Sequence, residues 1–196
     1  MNELDINLML ALNFDGGAFL DGVMWYASRI WIWIPLYLIV LWIIYRRFGL
    51  KYMLFALLFL AAGVGICDQV CNFFKGSIPY LRPTHSPDVY PLLHTVNGYR
   101  GGLYGTVSGH ASTSFSIFLL SSLIVRRGWF TGMMLTYTLL TSYSRIYLGV
   151  HFPMQILFGW ILGTIVAVLL WLLFRWLAGR YRWDRTRRYS SCQYTM

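Results

Sequence analysis

GYRGGLYGTVSGH, residues 98–110, is a polar, glycine-rich stretch set in a chain whose flanks are mostly Leu, Ile, Phe and Trp. A polar segment inside apolar sequence costs free energy unless it is solvated or used. The apolar runs on either side are expected to be membrane helices, and this stretch lies at the edge of the bilayer they cross.

The composition supports that frame. Hydrophobic residues make up 58% of the 196 positions and charged residues only 12%, with nine Trp. A soluble domain of this length needs more charged surface, so an integral membrane protein of one domain, residues 1–196, is expected. The net charge of +9 would suit a nucleic-acid partner. The basic residues instead fall at the ends of apolar runs, which indicates loop charges at a membrane and no nucleic acid. Cys67 and Cys71 lie one helical turn apart in an apolar segment and Cys192 in the basic tail, a pattern of neither disulfides nor zinc ligands; a packing role is expected. The first residues carry Glu3, Asp5 and Asp15 without a basic leader, so no cleavable signal peptide is expected.

Working outward, the chain divides into an interfacial segment (1–22), five spans, an outer loop (76–107) and a basic tail (177–196). Residues 4–13 are too short to span and are read as a helix in the interface, ended by Asn13 and Gly16-Gly17. The first span is expected from Val23 to Tyr45, roughly 34 Å at the helical rise, kinked at Pro35. Arg29 near its outer end is placed to snorkel or to meet an anionic head group. The second span, Tyr52 to Phe74, carries Asp68, an intramembrane carboxylate that calls for a partner or a function; it is expected to orient Lys75 or Asn72. The third span opens near Ser108 and ends before Arg126. The fourth runs from Trp129 to Tyr147, the fifth from Pro153 to about Trp176. The turn after span one, the turn after span three and the tail hold eleven of the sixteen Lys and Arg. Five spans put all three on one side, cytoplasmic by the positive-inside rule, and the loop on the outer face.

Three polar clusters then meet on that outer face: Lys75 to Arg82-Pro83, Ser108-Gly109-His110, and Ser144-Arg145 to His151. Lys75, Arg82 and Arg145 supply cations, two of them planar forks suited to phosphate oxygens. Ser108 and Gly109 open a helix, whose free N–H groups favour an anion. His110 and His151 lack the ligand spacing of a metal centre. A polybasic pocket with two imidazoles suits phosphoryl transfer, one His as nucleophile and one as general acid. Arg100 is a candidate for a second phosphate or a head group, while His85, His94 and Asp88 are loop residues with no assigned task. Tyr143 and Tyr147 are read as interface packing.

Lys75 with six residues to Arg82-Pro83, then Ser108-Gly109-His110, then Ser144-Arg145 with five residues to His151, resemble the three signature motifs of the type-2 phosphatidic acid phosphatase superfamily, over roughly residues 68–165. The resemblance implies an all-α polytopic bundle of about five transmembrane helices in a bacterial inner membrane. It implies a lipid phosphate or diphosphate as substrate and no cofactor or metal. It implies that His151 forms a phosphohistidine, that His110 protonates the leaving oxygen, and that Lys75, Arg82, Arg145, Ser108 and the Gly109 N–H hold the phosphate. Phosphatidic acid, phosphatidylglycerophosphate, undecaprenyl diphosphate and lipid A are the substrate types it suggests.

Two departures stand out. Val107 occupies a position often held by Pro, and Gln155 stands where the family usually has Asp, four residues after the nucleophile. A Gln carbonyl can accept the imidazole N–H but adds no charge. With Pro153 at the first helical position, Gln155 also sits where a capping-box side chain would. Two alternatives follow: a phosphotransferase passing the group to another lipid, and a non-catalytic lipid-binding relative.

Overall fold

A computed structural model describes residues 3–180; the expected tail beyond Arg180, with Cys192, lies outside the described residues. Seven α-helices follow one another: α1 (Glu3–Leu12), α2 (Gly17–Ala27), α3 (Ile34–Phe48), α4 (Leu50–Ser77), α5 (Gly109–Val125), α6 (Gly128–Tyr147) and α7 (Pro153–Arg180). The chain is all-α with several long apolar helices, as a polytopic membrane bundle requires. By length and composition alone three segments among the described residues suffice to cross a bilayer: Ile30–Phe48, Leu50–Ser77 and Pro153–Arg180.

Helix α5, at 17 residues, is apolar but short of that length, and α6, at 20 residues, carries Thr, Ser and Tyr among its apolar positions. Helix α5 is the central one, packed against α4, α6 and α7. Protein rather than lipid surrounds it, so it carries Ser112, Ser114, Ser116, Ser121 and Ser122 on buried faces. Three of the hydroxyls turn back on the helix, Ser112 donating to the Gly109 carbonyl, Ser114 to that of Ala111 and Ser121 to that of Phe118, while Thr138 of α6 donates to the Ser114 carbonyl. Small side chains also let helices approach closely. A Cβ on Gly163 of α7 would lie 2.5 Å from the Ser112 carbonyl oxygen, and one on Gly159 would lie 2.8 Å from that of Ser108. Gly159 and Gly163 are four residues apart, so one face of α7 rests on the backbone of α5. Cys67 and Cys71 fill the seam between α4 and α5, with Cys71 Sγ 3.3 Å from Ser112 Oγ.

The expected first span is corrected. Val23 to Tyr45 is not one helix: α2 ends at Ala27, Ser28 and Arg29 break it, and a 3-10 turn (Ile30–Trp33) leads into α3. Pro35 sits in the first turn of α3, where its missing N–H costs nothing, so it starts the helix instead of kinking one. Helix α2, from Gly17 to Ala27, runs across the expected end of the 1–22 segment. Helix α1 packs on α6 and α7 and buries Met9 completely. Asn13 does more than end it: its amide donates to the His94, Ile146 and Tyr147 carbonyls, and its carbonyl accepts the His94 N–H.

The cations divide by end. Arg47, Arg126 and Arg175 line one cleft with Phe48, Tyr52 and Trp171, and Arg47 donates to the Val125 carbonyl. These residues sit at the C-terminal ends of α3, α5 and α7. The N-termini of α5 and α7 and the C-termini of α4 and α6 face the other way, and there the polar clusters meet.

Candidate active site

The loop between α4 and α5 is folded back as a flap. Leu81 and Tyr104 form an antiparallel bridge, closed by Arg82 N to the Leu103 carbonyl and Gly105 N to that of Tyr80. This fixes Arg82, which is only 9% exposed. Its Nε donates to the Tyr104 carbonyl at 3.0 Å and one terminal nitrogen to that of Val150 at 3.3 Å, so one edge of the guanidinium is spent on backbone. Gly105 and Gly101 make this approach possible: a Cβ at 105 would stand 2.8 Å from Arg82 Cγ and 3.3 Å from His151 Cε1, and one at 101 would stand 3.0 Å from the guanidinium.

His151 lies in the turn between α6 and α7 and is 2% exposed. Val150 N and His151 N both donate to the Arg145 carbonyl, so the third cluster positions its own histidine. Nδ1 of His151 is 2.8 Å from Gln155 Oε1, which also accepts the Phe152 N–H at 3.3 Å. The two readings of Gln155 therefore meet on one oxygen, which caps α7 and orients the imidazole. A proton on Nδ1 leaves Nε2 with its lone pair free. Burial first, then the positive charges of Arg82 and Arg145, push the His151 pKa well below its ordinary value, and Gln155 opposes this only partly. The main-chain carbonyl of Gln155 accepts the Ser108 N–H at 3.1 Å, tying the second cluster to the third.

Arg145 is 3% exposed, with one terminal nitrogen 3.3 Å from the Tyr99 hydroxyl. Its Nε is buried and has no acceptor among the described residues. Such an orphaned donor costs free energy until an acceptor arrives, and a phosphate oxygen is a fitting one. On α4 the relay runs through both of the expected partners of Asp68: Asn72 donates to Asp68 at 3.1 Å, and Lys75 to the Asn72 carbonyl at 3.4 Å.

Lys75, Arg82, Gly109, His110, Arg145 and His151 all line one cavity of about 300 Å³, with Asp68 and Arg29 on its wall. Ser28, at the break between α2 and α3, brings its carbonyl to the His110 ring. Two imidazoles and four cations thus face a single space with one carboxylate. Not every expected residue is there. Ser108 is fully buried behind the wall, its hydroxyl capping α5 by accepting from Ala111 N and its N–H spent on Gln155. Arg100 turns away: it donates twice to the Thr84 carbonyl and stacks on Tyr90 at 4.3 Å, so it braces the loop. His94 donates to Asp21 at 2.8 Å, and the Tyr147 hydroxyl to the same oxygen at 2.6 Å. Tyr147 is therefore core, not interface. Asp15, Asp21 and His94 bring their ligand atoms within 4.8 Å of one another, but none of the three lines the cavity.

Sequence reasoning missed Gly105, Tyr99, Ser28 and the cavity-lining role of Arg29. Only Arg29 carried a usable signal, a charge inside an aromatic run with no neighbouring acid. The arrangement is suited to one chemistry: a tetrahedral anion held by fixed cations between a nucleophilic and a proton-donating imidazole.

The PAP2 superfamily profile matches residues 51–178. The chain is 36% identical over 182 residues to lipid A 4'-phosphatase of Porphyromonas gingivalis, covering 92% of this chain and 76% of that one. It is 30% identical to the Bacteroides thetaiotaomicron enzyme of the same name, covering 94% and 83%. The fold matches the crystal structure of a transmembrane PAP2-type phosphatidylglycerolphosphate phosphatase from Bacillus subtilis, with a TM-score of 0.64 at 19% identity over 86% of this chain and 83% of that one. A profile spanning more than half the chain and two relatives matched over nearly its whole length lead to one conclusion: the chain belongs to the PAP2 superfamily.

Proposed function

We propose that this protein hydrolyses the phosphate of a membrane lipid through a phosphohistidine, with lipid A phosphate the foremost candidate substrate because both near relatives bear that name. The observation that carries the reading is the convergence of His110, His151, Lys75, Arg82 and Arg145 on one cavity. Nε2 of His151 attacks phosphorus as the bond to the lipid oxygen breaks, and His110 gives that oxygen its proton. Neutral His110 then takes a proton from water, whose oxygen attacks phosphorus; the P–N bond breaks, releasing phosphate and His151. Lys75, Arg82, Arg145 and the Gly109 N–H bear the negative charge in both steps, so no metal is needed.

All five helices α3 to α7 cross the inner membrane in this reading, with α5 shielded by its neighbours. The Arg47, Arg126 and Arg175 end faces the cytoplasm, and the cavity opens on the outer face. Gln155 in place of Asp favours activity over a merely binding relative, because its carbonyl meets the Nδ1 proton at an ordinary hydrogen-bond length. The test is phosphate release by purified protein from lipid A, undecaprenyl diphosphate, phosphatidylglycerophosphate and phosphatidic acid. Release from at least one is expected, with competitive inhibition by vanadate and no loss on chelation. No release from any, or release abolished by chelator, would overturn the proposal.

A further inference from the structure

A second cavity of about 320 Å³ adjoins the first and shares with it Ser28, Arg29, Ile30, Tyr99, His110 and Arg145. Its own additions are Trp25 and Trp31. Lys75, Arg82 and His151 are absent from its wall. The vestibule thus lies on the His110 side of the phosphate position and away from the nucleophile. In an in-line displacement the nucleophile and the leaving oxygen occupy opposite sides of phosphorus, so whatever fills the vestibule is attached to the leaving oxygen.

Its walls have a definite chemistry. The Arg29 guanidinium lies 4.2 Å from the centre of the Trp25 ring. Trp25 packs edge-on against Tyr99 at 5.6 Å, and Tyr99 takes the Arg145 hydrogen bond. A chain of contacts therefore runs from the vestibule to the phosphate cradle. Among the described residues the one ion pair joins His94 and Asp21, so no carboxylate neutralises Arg29. Eleven of the sixteen Lys and Arg belong to the far end or the tail, and the remaining five are Arg29, Lys75, Arg82, Arg100 and Arg145. Three of these hold the phosphate position and Arg100 is spent on the Thr84 carbonyl; Arg29 alone is held by a ring face with its donors free.

We propose that Arg29, seated on Trp25 beside Tyr99, is a leaving-group subsite that binds acceptor oxygens of the group bonded to the reacting phosphate. The inference rests on the phosphatase reading and extends it to specificity. Those oxygens come from either of two sources: ring hydroxyls and acyl carbonyls of a phosphorylated sugar lipid, or the second phosphate of a lipid diphosphate. A guanidinium donates to either, and the Trp and Tyr faces suit a ring or a desolvated anion beside it. A plain alkyl phosphate offers the subsite nothing.

The test compares wild type with Arg29→Gln, Arg29→Lys and Trp25→Leu on lipid A, undecaprenyl diphosphate and dodecyl phosphate, reading kcat/KM for each. The expected result is a loss in Arg29→Gln that is roughly tenfold or more greater on an oxygen-rich substrate than on dodecyl phosphate, the scale of one lost charge-assisted hydrogen bond. A loss concentrated on lipid A identifies the sugar, and one concentrated on the diphosphate identifies the second phosphate. Arg29→Lys retains charge without the fork and falls between, and Trp25→Leu reproduces the selectivity change by releasing the guanidinium. Equal losses on all three substrates, or none on any, would overturn the subsite while leaving the phosphatase intact. A wild-type protein inactive on all three would overturn both.

Discussion

Gln155→Ala removes one oxygen that serves two buried donors. Oε1 lies 2.8 Å from His151 Nδ1 and 3.3 Å from Phe152 N, and both residues are almost completely buried. A buried donor left without an acceptor costs ~1–3 kcal/mol. A neighbouring cavity of about 250 Å³ borders Gln155 and Phe152, and water entering there replaces part of what is lost. The expected loss of stability is therefore about 2 kcal/mol, near the lower end for two orphaned donors. The loss in rate is larger in consequence. As Nε2 attacks phosphorus the ring gains positive charge, so the Nδ1–H bond to Oε1 strengthens in the transition state. Hydrogen bonds to charged groups contribute ~1.5–3 kcal/mol, and each 1.36 kcal/mol is tenfold in rate, so kcat falls roughly 10- to 150-fold. The assay is phosphate release by purified protein in detergent beside its thermal midpoint, with Gln155→Glu as the companion. The Glu variant keeps an acceptor and adds a negative charge that favours the imidazolium, so it stays active and moves the acidic limb of kcat/KM to higher pH. A Gln155→Ala protein that folds and turns over at the wild-type rate would refute the orienting role.

The other expectations are quickly stated. His151→Ala abolishes phosphate release and His110→Ala nearly does, and substantial turnover by either in detergent would reject the assigned roles. Gly105→Ala drives a Cβ to 2.8 Å from Arg82 Cγ, displacing that cation and lowering kcat/KM without a large change in melting temperature; unaltered kinetics would show that the loop yields. Gly163→Val meets the Ser112 carbonyl at 2.5 Å from Cβ alone; backbone cannot swing aside, so the cost is at the upper end of overpacking, ~3 kcal/mol, visible as a lowered melting temperature. Stability falls with acidification below about pH 6.5, where an unfolded His titrates. The folded His151 pKa is well below that, so the unfolded chain binds the additional proton in this window and the stabilisation, complete above it, is progressively lost. A wild-type melting temperature flat across that window, or a His151→Ala variant with the same slope, would contradict this.

The helical membrane class, the two-ended distribution of charge and most of the polar residues that line the cavity were legible in the residues themselves. Apolar runs of spanning length have few other homes, and Lys75, Arg82, His110, Arg145 and His151 occur at spacings that place them at helix ends on one face. The residues also bound α5 and α6 closely, although α5 is short for a span and α6 carries Thr, Ser and Tyr that lower its hydropathy. Tertiary structure decided the rest. The Val23–Tyr45 run is mostly apolar, yet Ser28 and Arg29 leave the helix to line the cavity with His110, 82 residues beyond Ser28 in the chain, which no local pattern announces. Arg100 turns from the cavity and Ser108 lies behind its wall for the same reason: their residue types are right, but the Thr84 carbonyl claims one and the Gln155 carbonyl the other. Periodicity and residue type record what a segment prefers, whereas a site is made by which distant backbone arrives beside it.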